Sequence, residues 1–352
     1  MNKKYILLLI PILSLIVYSC KKNGNTKQDV YNPTPATLHY PSFVDSNIGT
    51  PVIPSDNPLT TEGIVLGRKL FYDKTLSNDM TMSCNSCHNQ NNSFDDYRQF
   101  SQGTNGSFGK RNAMPIVNMA WNDRFFWDGR RSSLEGQAHD PVVNPIEMAN
   151  TWPVVVQRLQ SNTTYPELFF KAFGTKTVDS SLVVKAIAQF ERTLISFNSL
   201  YDRVIYLHTD TFTTAQANGY MLFQTKHCIT CHSNAVFTDH TFRNNGLDLF
   251  VSDSGLADFT HMTNDAGKFK VPSLRNIAIT APYMHDGRFT TLDQVVAFYN
   301  KGVNHGNPHT DFVMQSFNKA NEMTTQEQAD LVSFLETLTD SSYITNTQYM
   351  PQ

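Results

Sequence analysis

Apolar residues recur along this chain at helical spacing far more often than at strand spacing. Leu182, Val183, Ala186, Ile187, Phe190, Leu194 and Ile195 fall three and four apart, which predicts an amphipathic helix. Leu331, Phe334, Leu335 and Leu338 repeat that pattern near the C-terminus, behind Thr324 and Glu327, a capping-box pair that marks a helix start. Thr213 and Gln216 mark another start, ahead of Gly219-x-x-Leu222-Phe223, and Gly67-x-x-Leu70-Phe71 has the same form earlier in the chain. A further helix is predicted after Thr291 and carries Tyr299. Runs that alternate with a period of two are few and short, so the predicted class is mainly α.

The chain also repeats itself on a larger scale. Trp127-Asp128-Gly129-Arg130 is matched by His285-Asp286-Gly287-Arg288, and Leu134-Glu135 by Leu292-Asp293 at the same offset. Pro115 and Pro272 precede these blocks by nearly equal distances. Two homologous helical units are therefore predicted, spanning 56–200 and 201–345, with the helix around Ile187 closing the first. The units differ: the first has Asn/Gly/Ser-rich loops and an extra block from Gln137 to Met148, and the second supplies the Tyr299 helix.

The N-terminus has a different pattern. Lys3 and Lys4 precede an apolar run, Tyr5 to Val17, that is short for a membrane span and reads as a signal peptide over 1–19. It ends Val17-Tyr18-Ser19-Cys20, which resembles a lipobox, so Cys20 is the expected lipidation site; plain secretion with a stray cysteine is the alternative. Residues 20–55, polar and without period, read as a tether from that lipid. The expected location is the periplasmic side of the cell envelope, with membrane contact only through the lipid and the leaflet open. A net charge of −3 and the lack of a long basic run argue against a nucleic-acid partner.

Four of the five cysteines lie in two copies of one motif, Cys84-Asn85-Ser86-Cys87-His88 and Cys228-Ile229-Thr230-Cys231-His232. C-x-x-C-H attaches c-type haem: the thiols form thioethers with the vinyl groups and the histidine becomes the proximal iron ligand. A zinc site, a redox dithiol or a disulfide would also use C-x-x-C. Zinc wants a second ligand pair close by, and a redox dithiol has no need of a histidine after both copies. The expected cofactors are thus two covalent haem c groups, on His88 and His232. What each does depends on its sixth ligand, because an iron closed by two strong ligands carries electrons and an open one binds peroxide or oxygen. The stretch from Asn89 to Met114 contains no histidine, so that loop offers no imidazole and the first haem is expected to be open.

Several further blocks accompany the haem motifs, in order: Leu66-Gly67-x-x-Leu70-Phe71, Arg111-Asn112, Phe126-Trp127-Asp128-Gly129-Arg130, Asn144-Pro145-x-Glu147-Met148, Phe269-Lys270-Val271-Pro272-Ser273-Leu274-Arg275-Asn276 and Tyr283-Met284-His285-Asp286-Gly287. This set, from about residue 58 to 340, resembles the bacterial dihaem cytochrome c peroxidase and MauG superfamily. The resemblance implies two cytochrome c-like domains related by duplication, a peroxidatic one followed by an electron-transfer one. It implies that Tyr299 is the sixth ligand of the C-terminal iron, as in MauG and its relatives, where the peroxidases have methionine; a tyrosine packed on the helix face is the alternative. It further implies Glu147 and Gln137 as distal acid-base and hydrogen-bonding groups, although a lone loop glutamate is most often solvated surface. Trp127 matches a tryptophan between the haems, where relay and core packing are compatible roles. Asn112, Thr280 and Pro282 match the positions that hold a calcium ion, with an amide oxygen and carbonyls as ligands.

The function implied is reduction of hydrogen peroxide to water through a ferryl N-terminal haem, with electrons from a small redox protein such as a cytochrome c. A MauG-like oxidase that modifies side chains of a partner protein is the first alternative. A non-catalytic dihaem electron carrier is the second.

Overall fold

Two helix pairs cross at glycines, and each crossing builds the floor of one lobe. The computed structural model describes residues 30–317 and 322–352; the leader, the lipobox and Cys20 lie outside the described residues. In chain order the helices are α1 (Phe43–Ile48), α2 (Thr61–Phe71), α3 (Leu134–Val143), α4 (Trp152–Gln160), α5 (Tyr165–Phe173), α6 (Ser180–Arg192), α7 (Leu200–Ile205), α8 (Thr214–Thr225), α9 (Ala257–Thr260), α10 (Leu292–Ala297), α11 (Thr325–Glu336) and α12 (Ser341–Ile344). Strand structure among the described residues is one antiparallel pair, β1 (Phe242–Arg243) and β2 (Phe269–Lys270). The mainly α expectation holds.

In the first lobe α2 packs on α6 so closely that a Cβ on Gly67 would lie 1.9 Å from the Ala186 carbonyl oxygen. In the second, a Cβ on Gly219 of α8 would lie 2.0 Å from the Asp330 carbonyl oxygen of α11. Only glycine permits such backbone contact, which explains why Gly-x-x-Leu-Phe recurs. The predicted capping boxes form at Thr213/Gln216 and Thr324/Glu327, and Ser199/Asp202 at α7 and Thr291/Gln294 at α10 form others. Around the first crossing, Leu66, Leu70, Phe169, Val183 and Ile187 are buried with the helices α4 and α5. Around the second, Phe223, Phe334, Leu335 and Leu338 are buried with Tyr201 and Tyr283. Each such side chain contributes about 1.5–3 kcal/mol on leaving water.

Beneath the second lobe Arg275, from the Ser273-Leu274-Arg275 run, meets Asp202 of α7 at 2.5 and 2.8 Å, with both side chains 0 % exposed. Arg275 also donates to the Ala235 carbonyl, and Asp202 accepts from Ser199, so this buried pair has its remaining valences met.

Two predicted boundaries need correction. Residues 31–55 are not a free tether: they belong to the folded unit that begins at Tyr31, and α1 buries Val44 completely. Phe43 stacks on Tyr206 at 4.2 Å and meets Phe197 edge-on. The apolar residues responsible are too few to show a period, yet enough to anchor one short helix. The end predicted for the second unit, at 345, does not follow the packing either. Beyond α11 the chain returns to the first lobe, where Tyr343 lies 5.7 Å from the Phe94 ring and Tyr349 6.3 Å from it, both edge-on. Gln90 donates to the Asn346 carbonyl (2.8 Å) and Tyr72 to the Tyr349 carbonyl (2.8 Å), tying this C-terminal strap down.

Candidate functional site

Each C-x-x-C-H motif forms a short 3-10 turn, Cys84–Ser86 and Cys228–Thr230. The His88 and His232 main-chain N–H groups close back on Cys84 and Cys228, each at 3.0 Å. Cys87 and His88 of the first turn face one cavity, and Cys228, Cys231 and His232 of the second face another. The His88 Nδ1–H donates to the Phe94 carbonyl at 2.9 Å, and the His232 Nδ1–H to the Phe237 carbonyl at 3.1 Å. A carbonyl only accepts, so Nδ1 carries the proton and Nε2 keeps its lone pair for a metal. Phe94 (φ 57°) and Phe237 (φ 55°) both occupy the left-handed region, uncommon for phenylalanine, and this turns their carbonyls toward the rings.

Burial raises the thiols, Cys87 to about 11 and Cys228 to about 12. A zinc site needs a further ligand pair, and no group of three His, Cys, Asp or Glu among the described residues is placed to hold a metal ion. The zinc and redox alternatives do not fit, and covalent haem does. The N-terminal cavity, about 710 Å³, is lined by Cys87, His88, Gln137 and Glu147. The C-terminal cavity, about 210 Å³, is lined by Cys228, Cys231, His232 and Tyr299. Two haem c groups fit these two donor sets.

The wall between the cavities is shared. Asn112, Trp127, Lys270 and His285 line both. Trp127 donates its indole N–H to the Asn112 carbonyl (2.9 Å), Asn112 N–H donates to the His285 carbonyl (2.7 Å), and Lys270 N–H to the Trp127 carbonyl (2.8 Å). Lys270 is 4 % exposed, burial lowers its ammonium to about 8, and no carboxylate among the described residues lies at ion-pair distance. A buried cation is costly, and Asp123, too far for an ion pair, offsets that cost only in part.

Distal groups meet in the N-terminal cavity. Gln137 projects from α3. Glu147 follows the Asn144-Pro145 turn, where Asn144 Nδ2 donates to its Oε1 at 2.6 Å and Thr104 N–H holds its carbonyl at 2.9 Å. Burial holds Glu147 above the usual carboxylate range, against the opposing pull of Asn144 and Arg130. The loop 89–114 offers no imidazole. Besides His88, the histidine lining this cavity is His285, whose ring is stacked on Phe269 at 3.7 Å and 11°.

In the C-terminal cavity α10 gives way to a π turn, Phe298–Gly302, and Tyr299 sits in that turn rather than on the α-helix expected for it. Such wide turns rotate a side chain off the regular helical face and often mark functional positions. Its hydroxyl accepts from Asn245 Nδ2 at 3.1 Å; burial pushes the phenol up to about 12 while Asn245 pulls it down. Asn112, Thr280 and Pro282 all line this cavity. Asn112 Nδ2 donates to the carbonyls of Arg98 and Gln99, each at 3.1 Å, which turns its amide oxygen the other way.

Sequence reasoning missed the two phenylalanine carbonyls, Lys270 and Glu191, which also lines the N-terminal cavity. Lys270 had a signal, its place in the Phe269–Asn276 block; Glu191 had none.

The sequence profile described as di-haem cytochrome c peroxidase matches residues 61–210, and that of cytochrome c matches 216–339. The chain is 38 % identical over 289 residues to the methylamine utilization protein MauG of Methylorubrum extorquens, covering 81 % of this chain and 80 % of that one. It is 34 % identical over 278 residues to the cytochrome c551 peroxidase of Nitrosomonas europaea, covering 78 % and 79 %. Among solved structures, a MauG-like protein associated with microbial copper homeostasis superposes with a TM-score of 0.81 at 33 % identity, over 90 % of this chain and 99 % of that one. With two cytochrome c-type lobes, two C-x-x-C-H turns and relatives of this extent, the chain belongs to the dihaem cytochrome c peroxidase and MauG family.

Proposed function

We propose that this protein is a dihaem peroxidase that reduces hydrogen peroxide to water at its N-terminal haem, with electrons from a small redox protein. The observation that carries this is the meeting of Glu147 and Gln137 in the cavity of His88, beside a loop that offers no imidazole. When bound, the N-terminal haem, held by Cys84, Cys87 and His88, would supply the redox chemistry of peroxide reduction. Glu147 takes the proton from the inner peroxide oxygen and returns it to the outer one, which leaves as water. The Gln137 amide orients the peroxide, and Asn144 holds the carboxylate in place. Two protons and two electrons complete the conversion to two waters. His232 and Tyr299 would hold the C-terminal haem, which would take up the donor's electrons, and Trp127, its indole fixed by its hydrogen bond to Asn112, stands in the wall shared by the two cavities. Calcium at Asn112, Thr280 and Pro282, and a lipid on Cys20 that holds the protein on the periplasmic side of the envelope, belong to the same proposal.

A second reading, oxidation of side chains on a partner protein, is favoured by Tyr299, which as a phenolate on the C-terminal iron would be an anionic oxygen donor that stabilises oxidised iron. Adding hydrogen peroxide to the ferric holoprotein with reduced cytochrome c separates the two. Stoichiometric donor oxidation with peroxide loss supports the peroxidase. Oxidising equivalents that persist without donor oxidation favour the second reading, and no reaction with peroxide removes both.

A further inference from the structure

The N-terminal cavity contains one carboxyl group that the peroxide chemistry above does not use. Glu191, one residue before the end of α6, is 3 % exposed and lines this cavity together with His88 and Cys87. Its Oε2 meets no hydrogen-bond partner among the described residues. A carboxylate left this way is strongly disfavoured, and a carboxylic acid is not. Burial pushes Glu191 up to about 8.

Its neighbours do not neutralise it. Arg192 is committed to Glu135 at 2.8 and 3.0 Å. Cys84 is a haem-attachment thiol, and Tyr343, from the C-terminal strap, donates its hydroxyl to the Ile116 carbonyl. Arg192 still pulls Glu191 down and Glu135 pushes it up, and with Cys84 and Tyr343 these are the charged or titratable groups found to act on Glu191 among the described residues.

The internal repeat sharpens the point. Gly67 meets Ala186 and Phe190 of α6, and Gly219 meets Asp330 and Phe334 of α11. That correspondence sets Glu191 against Leu335, which lines the C-terminal cavity. At one structural position, one haem cavity keeps an aliphatic side chain and the other an acid with a free oxygen.

We propose that Glu191 is the proton store of the N-terminal haem cavity, an acid that releases one proton when the haem held there by Cys84, Cys87 and His88 loses one electron. The O–H bond breaks, the proton leaves to solvent, and the carboxylate left behind offsets the positive charge gained by the cavity. Reduction reverses both changes. The electron goes to peroxide in the proposed reaction, or to a one-electron mediator in a titration. The inference rests on the haem of Cys84, Cys87 and His88 and not on the peroxide chemistry.

The test is spectroelectrochemical titration of the holoprotein, without peroxide, at a series of pH values around that of Glu191. The N-terminal midpoint should fall by about 59 mV per pH unit, the one-electron equivalent of a tenfold change, and the C-terminal midpoint should not. Glu191→Gln and Glu191→Leu, the latter copying the second lobe, should flatten that slope with both haems retained, and Glu191→Asp should restore it. A wild-type midpoint independent of pH, or a slope of the same size in Glu191→Gln, overturns the proposal. Should neither neutral variant load haem, proton release on oxidation of the wild type, read with a pH indicator, decides: one proton per N-terminal electron supports it, and none overturns it. Loss of the peroxidase reading alone would leave these results unchanged.

Discussion

Trp127 donates its indole N–H to the main-chain carbonyl of Asn112 at 2.9 Å, and the N–H of that same Asn112 donates to the His285 carbonyl at 2.7 Å. Trp127 and His285 are equivalent positions of the two repeats, so a single residue staples the two lobes where their cavities share a wall. Fixing the indole fixes the wall that the two cavities share.

Replacing Glu147 by glutamine should slow peroxide cleavage by roughly 10²–10⁴-fold while both haems stay attached. The proton acceptor is the ionised form, and burial raises Glu147 above the ordinary carboxylate range. The wild-type rate should therefore decline as pH falls through that raised value, and the acid limb should be absent from Glu147→Gln. Stopped-flow mixing with peroxide across pH measures both, and an unchanged rate removes the assignment.

Tyr299→Met should raise the potential of the C-terminal haem and alter its visible spectrum, because a thioether favours reduced iron over a phenolate. The N-terminal haem should keep its spectrum. If neither property of the C-terminal haem moves, Tyr299 packs in the π turn without touching iron.

Arg275→Met strands Asp202 in a site with no exposed surface. Breaking a buried pair in this way costs about 3–5 kcal/mol, visible as a lower denaturation midpoint. Adding Asp202→Leu should recover much of the loss, since both charges are then gone; a double variant no more stable than Arg275→Met would contradict this.

Tyr343→Ala removes the strap residue that packs on Phe94, the residue whose carbonyl orients His88. Truncation of a buried aromatic costs about 3–5 kcal/mol. The electron paramagnetic resonance of the N-terminal haem should broaden while that of the C-terminal haem stays as it was. A change confined to the C-terminal haem would show that the strap does not support His88.

Haem attachment was legible in the chain because C-x-x-C-H is a local motif, with all its groups inside five residues. The helices were legible because an amphipathic face leaves a 3.6-residue period and a capping box leaves a fixed pair. The duplication showed because both lobes need glycine at the same crossing. The family's blocks pointed to Glu147, Gln137 and Tyr299, yet only the fold brings the first two into the cavity of His88 and sets Tyr299 in a π turn facing the other. Tertiary structure alone decided the rest. The tautomers of His88 and His232 depend on carbonyls six and five residues on, aimed by a left-handed backbone that no phenylalanine announces. Glu191 occupies an ordinary position in an amphipathic helix, and its meaning comes from the cavity it faces. The strap from the C-terminus to Phe94 joins residues about 250 apart in the chain. Periodicity and motifs report what a residue needs from its near neighbours, and burial against distant chain is set only when the chain closes.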